Sequence, residues 1–277
     1  MTKSIQELLL IDGNSIICRY FYGVPSRLTS DSLEVNALYC FTRFLINLIK
    51  RNINKYFSII VLFDRTSNNF RKEILKSYKQ NRPRPSENFF QQINLCEEVC
   101  DLLNVAVDYH KVYEADDLIA SYKKLFHKHY KNSKVTIIST DKDLMQLVED
   151  NVFFLNIFSK KFFNKTDVFE KMGVYPKQIA DFLAICGDSS DNIPGIYKIG
   201  EKTAAKLLSK YEKLENIINS EEGKKKDFTP AILFKKLTTL KDDIQLNIEK
   251  FYKPNPKKEK FKNFLEQYNF IDLLDIF

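Results

Sequence analysis

The chain has 277 residues, 44% of them hydrophobic, enough to bury the core of one large domain or two small ones. Lys and Arg number 43 against 36 Asp and Glu, a net charge of +7. No apolar run approaches the roughly 18 residues of a membrane span, and neither G-x-G-x-x-G nor G-x-x-x-x-G-K-[ST] occurs, which excludes a membrane-spanning helix, a dinucleotide fingerprint and a P-loop. Glu7 and Asp12 flank Leu8–Ile11 where a secretory signal needs an uncharged stretch. Five scattered cysteines with no C-x-x-C, and three histidines, argue against a disulfide framework or structural zinc. Reduced, buried thiols in a cytoplasmic protein are expected, with Cys96 and Cys100 in a helix core.

In chain order, strands are predicted at Leu8–Ile11, Ser58–Phe63, Val105–Val107, Val135–Ser139 and Val152–Leu155, and helices over 35–50, 86–103 and 115–126. Continuous apolar strands alternating with amphipathic helices predict an α/β fold, a mainly parallel sheet flanked by helices. Near residue 173 the pattern changes to helices, the first opened by Tyr175-Pro176. This divides the chain into a core over 1–170 and a helical region over 171–277, whose last segment is expected to pack back on the core. Between them in character is the stretch around 65–90, where Arg65, Arg71, Lys72, Lys76, Lys79, Arg82 and Arg84 stand against few acids and interleave with Phe70 and Tyr78.

Three predicted strands end in aspartate: Asp12, Asp64, and the Asp141/Asp143 pair. Singly, each reads as a helix cap or turn residue; in one parallel sheet they converge on the edge where ligands bind. Glu114, Asp116 and Asp117 open a helix, and Asp188 and Asp191 follow another. With these nine acids set apart, the rest of the chain carries +16. Oxygen-only donors in such number select hard cations, and two ions fit better than one. Paired hard ions serve phosphoryl-transfer chemistry. Gly195 and Gly200 with Lys202-Thr203 imitate a Walker loop with one residue too many; a helix-hairpin-helix, offering a tight turn and a helix N-terminus to phosphate, is the better reading.

These motifs together resemble the 5′-nuclease family: the 5′→3′ exonuclease domain of bacterial DNA polymerase I, phage 5′ exonucleases and flap endonucleases. The matching segments are Leu10–Asn14, Phe63-Asp64, Phe70-Arg71 through Arg82-Pro83, Tyr113–Asp117, Ser139–Leu144 and Gly187–Gly195 running into Gly200–Ala204. They occur in the family's order along nearly the whole chain. The resemblance implies a PIN-like core with a helical arch around 65–90, and a structure-specific 5′→3′ exonuclease or flap endonuclease acting in primer removal and repair. It implies two Mg²⁺, replaceable by Mn²⁺: one held by Asp12, Asp64, Glu114 and Asp116 with Asp117 close by, the other held or approached by Asp141, Asp143, Asp188 and Asp191. Lys79, Arg82 and Arg71 would act on the scissile phosphate. Tyr78, Gly195, Lys198, Gly200, Lys202 and Thr203 would contact DNA, with a K⁺ ion at the hairpin. Expected partners are DNA with a 5′ end or flap, including RNA-primed strands, and a separate polymerase; no membrane contact and a monomer are expected. The family's usual Pro-Gly pair in the hairpin is here Tyr197-Lys198. The chain ends at Phe277, and no polymerase or proofreading domain is expected to follow. Two alternatives are a catalytically inactive module that binds branched DNA and a PIN-like ribonuclease. Intact carboxylates weigh against the first, and the hairpin and basic stretch against the second.

Overall fold

The structure is a computed structural model that describes residues 7–29, 33–52, 57–66 and 69–276; Phe277 lies outside them. Six strands form one sheet in the order β3-β2-β1-β4-β5-β6. They are β1 (Glu7–Asp12), β2 (Phe57–Asp64), β3 (Ala106–His110), β4 (Lys134–Ile138), β5 (Val152–Asn156) and β6 (Lys161–Phe163). The first five run parallel, and β6 turns back antiparallel along β5. β1 is central and wholly buried, with Leu9 opposite Ile59 on one side and Thr136 on the other. The chain works outward from β1 to β3, then returns to place β4 on the other flank of β1. That reversal opens a crevice above the carboxyl ends of β1, β2 and β4.

Thirteen helices follow among the described residues: α1 (Gly13–Gly23), α2 (Asn36–Arg51), α3 (Phe70–Ile74), α4 (Glu87–Leu102), α5 (Ala115–His129), α6 (Lys165–Met172), α7 (Ile179–Cys186), α8 (Glu201–Tyr211), α9 (Leu214–Ile218), α10 (Glu221–Lys225), α11 (Pro230–Thr238), α12 (Lys258–Gln267) and α13 (Ile271–Leu274). The expected helix at Tyr175-Pro176 begins as a 3₁₀ turn over Pro176–Gln178 that leads into α7. α1, α6 and β6 were not anticipated. α1 starts without a linker because Asp12, the last residue of β1, caps it by accepting from the Ser15 N–H at 3.1 Å. Gly13 is needed there, since a Cβ would meet the Phe63 ring at 2.7 Å.

Alternation along β1 sends Leu8 and Leu10 into one core and Leu9 and Ile11 into the other. The first core joins Leu118 and Phe126 of α5 to Phe182 of α7, Leu208 of α8 and Phe234 of α11. The second joins Phe41 of α2 and Cys96 and Cys100 of α4 to Phe261 and Phe264 of α12 and Leu273 of α13. The chain's last helices therefore close the face opposite the helical region that precedes them. Phe261 is fully buried, so Phe261→Ala should cost about 3–5 kcal/mol of unfolding free energy in urea titration. A loss under about 1 kcal/mol would show that α12 only rests on the surface.

Candidate active site

The crevice gathers carboxylates from every element that ends there. Asp12 accepts from Ser139 Oγ at 2.6 Å. Burial, opposed by that bond and reinforced by Asp64, pushes it up to about 7. Asp64 ends β2, accepts from the Ala115 N–H at 2.8 Å, and its own N–H donates to Asn14 at 3.0 Å. Its residue surface stays open to solvent, yet dehydration by the surrounding walls, then the Glu114 charge, raises its pKa. Asp116, on the first turn of α5, is raised well above the ordinary carboxylate range by burial and by Asp12 and Asp141. Asp141 caps the 3₁₀ turn after β4 by accepting from the Asp143 N–H at 2.9 Å; burial and Asp191 raise it against that hydrogen bond.

The loop after α7 completes the cluster. Oxygens of Asp143, Asp188 and Asp191 lie within 4.8 Å of one another. Asp188 accepts from the N–H and Oγ of Ser190 at 2.9 and 2.8 Å, which holds its pKa low despite burial. Asp143 is pushed up to about 8 by burial and then by Asp141 and Asp188. Its Oδ1 is buried and has no hydrogen-bond partner. A buried carboxylate oxygen without a donor is costly, and here it faces two more carboxylates. Oxygen donors so arranged fit a hard divalent cation, which would supply the missing partner and the missing positive charge.

Cations from 70–82 already occupy part of this field. Glu114, the N-cap of α5, accepts from Lys79 Nζ at 2.5 Å, Arg71 Nη1 at 3.0 Å and the Tyr78 hydroxyl at 3.0 Å. Burial would raise it, but Lys79 and Arg71 prevail and hold it low. The Tyr78 hydroxyl also reaches Asp191 at 2.9 Å, and Arg82 Nη2 lies 2.5 Å from the other Asp191 oxygen. Lys79 adopts a left-handed backbone, φ 54°, and its N–H donates to the Asp191 carbonyl at 3.0 Å. Its ammonium pKa is raised by Glu114 and Asp191 against the cost of burial.

Three of the expected site residues are enclosed by internal partners in this geometry. Arg71 was grouped with the cations that act on phosphate, but it is 1% exposed. It grips both oxygens of Asp117 at 2.7 Å, and its Nε donates to the Leu237 carbonyl at 2.7 Å. Asp117, placed among the metal residues, has its oxygens taken by Arg71 and by the N–H groups of Lys241 and Glu114. Tyr78, expected against DNA, is 2% exposed and has its hydroxyl between two carboxylates. All three serve as internal ties. The helix content of 65–90 among the described residues is the five-residue α3 and the start of α4, the rest being turns and irregular chain.

The hairpin joins α7 to α8. Gly195 has φ 67°, and a Cβ there would strike the Gly187 nitrogen at 2.3 Å, so two stretches of backbone cross at this point. Gly200 has φ −93° and open space around it; neither conformation nor packing demands glycine. Lys198 is exposed at the tip with φ 60°. Lys202 and Thr203 are exposed on the first turn of α8.

Some cleft residues went unassigned in the sequence. A recess of about 480 Å³ beside the carboxylates is lined by Ser15, Arg19 and Tyr22 of α1 together with Arg82, Asp141 and Lys142. Ser15, Arg19 and Tyr22 share one helix face at i, i+4 and i+7; recognising α1 would have exposed that stripe. Ser15 also receives the Thr140 N–H at 3.0 Å, which locks the loops after β1 and β4 together.

Family models for the 5′-3′ exonuclease N-terminal resolvase-like domain and C-terminal SAM fold match residues 7–173 and 174–260. The chain belongs to the 5′-3′ exonuclease family. It is 35% identical to a 5′-3′ exonuclease of Aquifex aeolicus, covering 98% of this chain and 94% of that protein. It is 34% identical to the thermostable DNA polymerase I of Thermus thermophilus, covering 98% of this chain but 33% of the polymerase. In fold it is similar to T5 5′-exonuclease with bound zinc, at TM-score 0.72, 21% identity, 95% of this chain and 99% of that one. It also resembles the T5 D15 flap endonuclease in complex with DNA and metal ions, at TM-score 0.70 and 23% identity over 85% of this chain and 89% of that one.

The raised carboxylates set the sign of a pH effect on the metal-free nuclease. Asp12 and Asp143 bind protons in the folded state up to about 7 and about 8, but in the unfolded chain only to about 4. Between those limits the folded state holds more protons, so stability falls as pH rises. Melting in EDTA should therefore decline from pH 5 to pH 8. A melting temperature that rises across that interval would contradict the crowded-carboxylate geometry.

Proposed function

We propose that this nuclease is a Mg²⁺-dependent, structure-specific 5′-nuclease that hydrolyses a phosphodiester near the junction of a 5′ end or flap with duplex DNA. The observation that supports it most is the unpartnered Asp143 oxygen inside a carboxylate cluster roofed by Lys79 and Arg82. Asp12, Asp64, Glu114 and Asp116 would hold one ion, and Asp141, Asp143, Asp188 and Asp191 the other; Mn²⁺ would substitute. When bound, such a pair activates water and neutralises charge on the leaving oxygen.

The chain's own residues do the positioning. Ser139 orients Asp12, and the α5 N-terminus orients Asp64. Lys79 and Arg82 would trade their carboxylate partners for the scissile phosphate and stabilise charge developing there. Arg19 and Lys142 line the recess through which that strand would pass. We assign 1–170 to catalysis and 171–277 to duplex binding through Gly195, Lys198, Gly200, Lys202 and Thr203. The K⁺ expected at the hairpin meets a competitor, because the Tyr197 carbonyl already accepts from the Lys226 ammonium; no role is given to K⁺. Among the described residues no helix is long and apolar enough to cross a membrane. Free cysteines, two of them buried, fit a cytoplasmic monomer that works beside a polymerase on RNA-primed DNA. An inactive DNA-binding module would gain nothing from acids that repel phosphate, and a ribonuclease for single strands would leave the hairpin idle.

Cleavage of a labelled 5′-flap duplex, a matching single strand and RNA, each with Mg²⁺ or EDTA, tests the reading. Flap cleavage that needs Mg²⁺ is expected, and Asp143→Asn should abolish it without lowering the melting temperature. Equal turnover in EDTA would overturn the assignment.

The two basic elements should separate kinetically. Lys79→Ala should slow single-turnover cleavage about 10²-fold, in the range for a lost electrostatic stabiliser, with little change in affinity. Lys198→Gly relaxes a left-handed backbone and removes one phosphate contact. It should raise the dissociation constant and lower the salt slope by about one ion, with cleavage of bound DNA retained. Salt-titrated binding and saturating single-turnover assays on one duplex measure both.

A further inference from the structure

A second concave surface lies away from the carboxylates. Between α2 and the β5–β6 hairpin runs a trough of about 650 Å³. Phe44 and Leu48 of α2 form one wall, and Leu155 and Phe162 form the floor and far side. Three cations stand around it: Arg43, Arg51 and Lys160. All three are exposed, and among the described residues no acid lines the trough and none of the three is ion-paired. Nothing in the proposed cleavage reaction uses this surface.

We propose that this trough binds an extended acidic segment of a partner protein, with an aromatic or long aliphatic side chain seated between Phe44, Leu155 and Phe162. Arg43 and Arg51 are two turns apart on α2, about 12 Å along the helix. An extended chain advances about 3.3 Å per residue, so acids about three or four positions apart span that distance. The complementarity is one of charge at the rim and apolar surface in the floor, and aromatic and Arg side chains are the residues that carry protein–protein contacts. Stacked bases suit the site less well. Of its aromatic residues Phe162, at 46%, is the exposed one, and Tyr20, Tyr39 and Phe44 are half-buried, whereas single strands are held on open aromatic faces.

The test uses the full chain and a fluorescein-labelled peptide in which two aspartates flank a Phe-Leu pair. A peptide with lysines in place of the aspartates and an oligothymidylate of matching charge serve as comparisons. Saturable binding of the acidic peptide is expected in fluorescence anisotropy, with the lysine peptide inert. Arg43→Glu with Arg51→Glu should weaken that binding at least about tenfold, as should Phe162→Ala. Melting temperature and flap cleavage should stay unchanged in these variants, since all three side chains are exposed and outside the cleft. The proposal is overturned if the acidic peptide fails to saturate, if the lysine peptide binds equally, or if the variants keep full peptide affinity. It is equally overturned if they lose oligothymidylate binding instead, which would make the trough a nucleic-acid site.

Discussion

The guanidinium of Arg71 is the tie on which the cleft depends. It is nearly inaccessible to water, holds both oxygens of Asp117 and one of Glu114, and donates to a backbone carbonyl at the end of α11. Three stretches distant in sequence thus meet at one planar cation: the basic segment after β2, the N-terminus of α5, and the C-terminal end of α11. A buried cation of this kind adds little net stability over an apolar substitute, yet losing one partner strands the others at a cost of about 3–5 kcal/mol. Its consequence is geometric. With Arg71 anchored, Tyr78, Lys79 and Arg82 are carried over the carboxylates.

The second constraint is the concentration of like charge: Asp12, Asp116, Asp141 and Asp143 are all raised by burial and by neighbouring carboxylates, so the fold holds an unfavourable field above the ends of β1 and β4. Lys79 and Arg82 relieve part of it at Glu114 and Asp191. The remainder centres on an Asp143 oxygen that no protein group satisfies. Oxygen donors crowded in this way suit a hard cation. The same cations that offset the cleft's negative charge are those that the proposed reaction would turn toward phosphate.

One loop couples this centre to the hairpin. Residues 187–200 carry Asp188 and Asp191 at one end and the exposed Tyr197-Lys198 tip at the other. The loop is narrowed by an antiparallel bridge between Asp188 and Ile193 and by the backbone crossing at Gly187 and Gly195. A short, glycine-pinned path therefore ties the tip to these two carboxylates. Lys198 adopts the left-handed conformation that a glycine would take freely, so the turn keeps its shape while gaining a charge.

Much of this is legible in the sequence. Apolar runs ending in Asp12, Asp64 and Asp141 announced parallel strands and their acidic edge, because strand period and edge chemistry are local properties of the chain. Gly195 was legible as a hairpin glycine for the same reason. What stayed hidden is what depends on partners far along the chain. The resemblance sends Arg71 to the scissile phosphate and Tyr78 to DNA, and nothing near either residue reveals that a carbonyl at Leu237 and carboxylates at Glu114 and Asp191 will enclose them. Asp116 and Asp117 are adjacent and chemically identical, yet one faces the cleft's charges and the other is consumed by Arg71. Successive residues on a helix point about 100° apart, and only the packing of α5 against the chain after α11 decides which of the two is left free. The sequence by itself determined the five parallel strands, the acids that follow three of them and the charge they gather. The tertiary structure alone decided which charges remain open to a ligand, because burial and long-range pairing are not written in any local pattern.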